Sequence, residues 1–206
     1  MRSKLGILFV SCGAVLILAA LLLLGYNHYE SAQAGKESEN LLEQMQNIMS
    51  QNTPVSHPDT EIPQSHSGSG EAGPAEMPKI DIGNYTCIGY LSLPTLHMEL
   101  PILTDWDYEK LKTAPCRQFG SARTDDLVIA GHDYWHHFKQ LNQLQLGDPV
   151  SFTEADGTLN QYQVEELRIL EANDVDTVAN SGYDLVLYTC TYDGRQRITV
   201  FLDRIE

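Results

Sequence analysis

Apolar positions fall into three regimes along the chain. From Leu5 to Leu24 they are continuous and no charged residue interrupts them; from Glu30 to about Lys79 large apolar residues are sparse; from Tyr85 onward they recur in short runs separated by Gly, Pro and Asp. The first regime matches the roughly 20 residues a helix needs to cross a hydrocarbon core. A signal peptide has a shorter apolar core and a small-residue cleavage site, whereas this run ends in Leu21-Leu22-Leu23-Leu24-Gly25-Tyr26, so it reads as a retained membrane anchor. Arg2 and Lys4 precede it. The positive-inside rule then places the N-terminus in the cytoplasm and residues 25–206 outside the cell membrane.

The second regime carries Pro54, Pro58, Pro63, Pro74 and Pro78, with Ser65-His66-Ser67-Gly68-Ser69-Gly70 at its centre. Such composition cannot bury enough apolar surface to offset ordering, which predicts a flexible linker over residues 26–80. Within it, Leu41, Leu42, Met45, Ile48 and Met49 fall at helical spacing between Glu39 and Met49. A helix so short is marginal alone, and the expectation is a transient helix without a partner. His57 and His66 lie in this stretch and are assigned no chemical role.

The third regime, residues 81–206, predicts one folded domain, mostly β. Expected strands are Tyr85–Leu93, Met98–Leu103, Leu127–Gly131, Pro149–Thr153, Asn160–Leu170, Asp184–Thr189 and Ile198–Ile205, with clear alternation in Gln161-Tyr162-Gln163-Val164-Glu165. Two helical pieces are expected, Trp106–Thr113 and His136–Leu146. Seven to eight short strands with two short helices point to a closed or nearly closed antiparallel-rich β-barrel behind the anchor and linker. The chain carries 28 acidic against 13 basic residues, a formal net charge of −15. Nucleic acid is therefore excluded as a partner, since phosphate binding needs a basic face, and the membrane is reached through the anchor alone.

Chemistry concentrates at two strand ends. Leu185-Val186-Leu187-Tyr188-Thr189-Cys190 is an apolar strand that ends in a cysteine, and after a polar turn Arg197 opens the next strand. A thiol placed by a strand is fixed in direction, and a guanidinium across a hairpin can hold an oxygen that gains charge during acyl transfer. Upstream, Leu127-Val128-Ile129-Ala130-Gly131-His132 ends a second apolar strand in a histidine, a candidate base. Cys12 lies in the apolar span, while Cys87 and Cys116 are a candidate disulfide that spacing leaves open.

The block from Leu185 to Val200 resembles the signature of the sortases, cysteine transpeptidases on the surface of Gram-positive bacteria. That signature is written Thr-Leu-X-Thr-Cys with a following arginine, and Val186-Leu187-Tyr188-Thr189-Cys190 matches it except at its first position. The Gly131-His132 strand end and Leu146-Gly147-Asp148-Pro149-Val150 resemble further family segments, so the resemblance covers about residues 85–205.

The resemblance implies a sortase-like barrel with Cys190 as nucleophile, His132 as proton-handling partner and Arg197 as substrate or oxyanion clamp. Arg195 competes with Arg197, but it lies beside Gly194 in the turn and is expected to be solvated. Thr189 and Leu187 are implied peptide contacts. Val175 and Val178, on the segment from Glu171 to Tyr183 that corresponds to the family's peptide-reading loop, are expected to line an apolar slot. Asp133, Tyr134 and Trp135 follow the histidine directly, a position from which they could shape the pocket mouth, although a surface turn is the plainer reading. Implied partners are sorting-motif peptides of secreted proteins and an amine from a cell-wall precursor or a pilin. No metal or organic cofactor is implied, and Glu171, Asp174 and Asp176 are read as solvated carboxylates rather than a calcium site.

The resemblance also implies that the thiolate and imidazolium together form the minor protonation state, which couples activity to pH. A short connection between Cys190 and Arg197, no Asp-Pro-aromatic segment before the first strand and no apolar span after Ile205 favour a compact anchoring enzyme of class B, D or E. Two other readings use the same residues. One is a metal-binding surface module on His132, His136 and His137, and the other is a catalytically idle adhesion or scaffold domain on the same fold.

Overall fold

The computed structural model describes residues 2–52 and 76–205. Helix α1 spans Arg2–Asn52 without a break. Its first part is apolar on all sides and exposed, with Leu8, Phe9, Val10 and Leu22 each more than 60% accessible, as a segment suited to lipid requires. The chain contains no proline before Pro54, so nothing stops the helix at the end of the apolar run.

This overturns the expected linker between residues 30 and 52. Ala34, Ser38, Leu41 and Met45 form a buried stripe at helical spacing, and Leu41 and Met45 of it pack in one cluster with Ile82, Cys87, Leu103, Leu111 and Ala130 of the barrel domain. The helix between Glu39 and Met49 is neither transient nor unpartnered. It extends an existing helix and so bears no nucleation cost of its own. Two of the stripe positions are the small residues Ala34 and Ser38, which count for little in an apolar pattern but permit close approach. The expected linker from 53 to 75, with His57 and His66, lies outside the described residues.

The barrel strands are β1 (Ile80–Ile82), β2 (Tyr85–Leu93), β3 (Met98–Leu103), β4 (Cys116–Phe119), β5 (Leu127–Ala130), β6 (Pro149–Glu154), β7 (Leu159–Glu171), β8 (Leu185–Cys190) and β9 (Gln196–Arg204). Their spatial order is β1-β2-β3-β4-β5-β8-β9-β7-β6, and a further pairing of β2 with β6 closes β2 to β9 into an eight-stranded barrel. Short β1 adds to the edge of β2. Pairing is antiparallel except β3 with β4 and β5 with β8.

The interior is filled by Leu91, Ile102, Ile129, Phe152, Leu187 and Val200 among others, all inaccessible to solvent. Each such side chain contributes about 1.5 to 3 kcal/mol by leaving water. Met77 is buried in the same core, so the folded domain begins a few residues before Asp81.

The expected helices at 106–113 and 136–146 are shorter 3-10 turns, Lys110–Lys112 and Phe138–Gln143. A five-residue helix, α2 (Val175–Ala179), stands in the connection from β7 to β8. Cys87 and Cys116 are free and buried; both pair with Leu103, on opposite sides of β3. Two strand spacings separate them by about 10 Å, beyond the roughly 7 Å a disulfide tolerates. Burial pushes both thiols up to about 12, so they are unreactive.

Candidate active site

The parallel pairing of β5 with β8 sets the centre of the site. Ala130 is in register with Tyr188, and the Gly131 amide extends the ladder by donating to the Tyr188 carbonyl at 3.0 Å. His132 and Cys190 therefore stand two residues past one registered pair and leave the sheet side by side. On the other flank of β8, Cys190 is directly opposite Arg197 of β9. The three candidate catalytic residues thus line up in the order histidine, cysteine, arginine, His132 just past the end of β5, Cys190 at the end of β8 and Arg197 on β9. Gly131 permits the sharp exit of β5, since a Cβ there would lie 2.5 Å from the Phe138 ring.

The side chain of His132 packs between two tyrosines. Its ring stacks on Tyr134, with centroids 4.7 Å apart and planes at 21°, and meets Tyr108 edge-on at 5.5 Å. Its Nε2 is buried and accepts or donates no hydrogen bond among the described residues. Burial, aided by the nearby Lys112 charge and opposed by Glu30, holds His132 below the ordinary imidazole range. The neutral ring is therefore the prevailing form at neutral pH, and imidazolium is the scarce one. Tyr134, expected in a plain surface turn, is part of the histidine's support.

Arg197 donates from Nη1 to the carbonyls of Gly194 at 3.1 Å and Gln196 at 3.0 Å, so backbone oxygens, not a carboxylate, orient its guanidinium. Arg195 has a side chain 85% accessible and meets only Asp193 at 3.8 Å. The turn from β8 to β9 is stapled by Thr191, which donates to Asp193 at 2.6 Å and accepts from the Gln196 amide at 3.1 Å.

Beside the arginine lies a groove of about 180 Å3, walled by Trp106, Phe119, Leu170, Val175, Val178 and Tyr188 together with Arg197. Val175 and Val178 thus sit where an apolar slot is expected, brought there by α2. Beneath the groove Val178 packs on Val128, Val186 and Phe201, which makes its floor continuous with the barrel. Tyr188 fixes one wall by donating its hydroxyl to Gln118.

Leu187 and Thr189 do not share this face. Both are wholly buried, and Leu187 belongs to the barrel interior. Side chains alternate across a strand, so Cys190, Tyr188 and Val186 face the groove side while Thr189 and Leu187 point inward. The implied peptide contacts at Leu187 and Thr189 are corrected accordingly: their role is to seat β8, and Tyr188 takes the wall position.

Among the described residues no three His, Cys, Asp or Glu side chains gather closely enough to hold a metal ion. His136 is exposed whereas His137 is fully buried, so the histidines do not converge. Glu171 is engaged by Gln196 at 2.9 Å and Asp174 by Thr177 at 2.6 Å.

His137 lies behind the site, its ring 5.6 Å from Tyr134, and neither of its nitrogens makes a hydrogen bond among the described residues. Burial first, then the His132 charge, depress it from 6.5 to about 4; Thr113 pulls weakly the other way without normal hydrogen-bond geometry. A base depressed on folding binds fewer protons folded than unfolded. Its contribution is fully present above 6.5 and is lost as pH falls towards 4, an amount of about 3 kcal/mol. In urea titrations the stability difference between wild type and His137→Leu should therefore move in the variant's favour by that order from pH 7 to pH 4. A pH-independent difference would contradict a neutral buried ring.

The geometry has counterparts in known proteins. A family model described as the sortase domain matches residues 91–205, more than half of the chain. The chain belongs to the sortase family. No curated relative matches the sequence. Among solved structures, sortase C-1 of Actinomyces oris is 22% identical, covering 57% of this chain and 73% of that one with a TM-score of 0.51. A sortase D5 transpeptidase of Clostridium perfringens is 21% identical over 58% of this chain and 79% of that chain, TM-score 0.52. Sortase C of the same organism, solved with a C-terminal cell wall sorting motif, is 19% identical over 58% and 71%, TM-score 0.51. At these identities the structures establish the shared barrel. At the level of the family, this sortase is a transpeptidase with a candidate membrane-anchoring helix.

Proposed function

We propose that this sortase is a cysteine transpeptidase that cleaves a sorting-motif peptide of secreted proteins and joins the acyl part to an amine of a cell-wall precursor or pilin. The observation that carries this reading is that His132, Cys190 and Arg197 line up at the ends of the adjacent strands β5, β8 and β9, with Arg197 on the wall of an apolar groove. A peptide laid in the groove against Val175 and Val178 brings a backbone carbonyl to Cys190. The thiolate attacks the carbonyl carbon, Arg197 donates to the oxyanion, and His132 as imidazolium protonates the departing amine as the C–N bond breaks. The remaining thioester is attacked by the acceptor amine, which passes its proton to His132 while the C–S bond breaks, so that thiolate and imidazolium are both restored. No metal or organic cofactor takes part. The anchor keeps the N-terminus in the cytoplasm and presents the barrel at the outer face of the membrane.

Mass spectrometry of the intact protein after exposure to a panel of sorting-motif peptides tests this. The expected result is a mass increase equal to the peptide's N-terminal fragment, located on Cys190 and discharged by added amine. Failure of every peptide to load, or loading that persists in Cys190→Ala, would overturn the reading.

A further inference from the structure

Helix α1 also reaches the histidine loop. Tyr134 Oη donates to Glu30 at 3.2 Å, and the Trp135 amide donates to Ser31 Oγ at 3.3 Å. One turn on, the helix comes so near the loop that a Cβ on Gly35 would lie 2.7 Å from the His136 ring. Residues 134 and 135 are thus held by hydrogen bonds to the helix that carries the apolar span, and His136 lies close against it. Tyr134 is the ring on which His132 stacks. Its hydroxyl, pushed up to about 12 by burial and the Glu30 charge, remains a donor at any working pH. Because no described residue hydrogen-bonds His132 Nε2, packing on Tyr134 and Tyr108 gives the imidazole its direction.

We propose that Glu30 is a positioning residue for His132: by accepting from Tyr134 Oη it fixes the ring on which the imidazole stacks, and so ties the geometry of the active site to the docked membrane helix. This rests on the proposed role of His132 in proton transfer. The charged and titratable groups around the imidazole are Glu30 from α1, Lys112 from the turn at 110–112, Tyr108 before it, and Tyr134 and His137 from its own loop. Removal of the Glu30 charge and removal of its acceptor oxygen are therefore tested apart.

The full chain in detergent micelles is assayed for turnover of a sorting-motif peptide. Glu30→Ala is expected to lower kcat about tenfold to a hundredfold, the range a small misplacement of a catalytic group produces, with KM for the peptide unchanged because its groove is built by other elements. Glu30→Gln keeps an acceptor for Tyr134 and should restore most of kcat. Tyr134→Phe should match Glu30→Ala, and the double variant should lose no more than either alone. Gly35→Val, which pries the helix from His136, supplies an independent route to the same loss of kcat. The proposal is overturned if Glu30→Ala and Gly35→Val turn over normally, if Gln is as impaired as Ala, or if the two losses add. Activity retained by His132→Ala would instead sink the catalytic reading itself, so the two failures are told apart.

Discussion

Cys190→Ala should form no thioester and lose transpeptidation by at least about a thousandfold, the scale on which an enzyme falls when its nucleophile is removed. His132→Ala should cost about a hundredfold to ten-thousandfold, the usual contribution of a positioned proton carrier. The double variant should be no slower than Cys190→Ala, because a histidine that serves the thiol has nothing left to serve. The expectation rests on the register that sets the two residues level at the ends of β5 and β8. Cys87→Ala and Cys116→Ala are the matched controls: both thiols are buried between the barrel wall and α1 and should leave turnover intact while lowering the melting temperature. Steady-state kinetics with circular dichroism on each variant decides it. Peptide cleavage by folded Cys190→Ala would rule out covalent catalysis.

The same strand ends show how far residue order reached. Apolar runs bounded by turn residues located seven of the nine strands, because burial on one face of a pleated sheet leaves a periodic trace. β4 left none: Cys116-Arg117-Gln118-Phe119 is short and mixed, and only its neighbours in space make it a strand. The nucleophile, histidine and arginine were legible through a motif. Their support was not, since Tyr108 and Glu30 reach His132 and its loop only by tertiary contacts, and the stacking of Tyr134 on its near neighbour depends on the loop's conformation. The inward aim of Thr189 and Leu187 was recoverable from parity alone. If Cys190 faces a substrate, its neighbour one residue back cannot face it too. The docking of α1 was hidden for a different reason, namely that Ala34, Ser38 and Gly35 promote close packing by being small.

Arg197 and Arg195 stand two residues apart and should differ widely in effect. Arg197 faces Cys190 across the hairpin, and two carbonyls hold its guanidinium before substrate arrives. Preorganised donors of this kind cost no reorganisation when charge develops, and loss of one typically lowers turnover about a hundredfold to a thousandfold. Arg195 projects into solvent with a long, weak ion pair to Asp193, so Arg195→Ala should change kcat/KM by less than about fivefold. Arg197→Lys should recover little, because a guanidinium can hold the turn carbonyls through Nη1 and keep its other N–H groups for the oxyanion, whereas an ammonium has one nitrogen for both. The Thr191 and Asp193 staple fixes the turn independently of either arginine, so all three variants are expected to fold and to label at Cys190 with a thiol reagent. Equal losses at the two positions, or the larger loss at Arg195, would move the oxyanion donor into the turn and require the hairpin register at Cys190 to change when peptide binds.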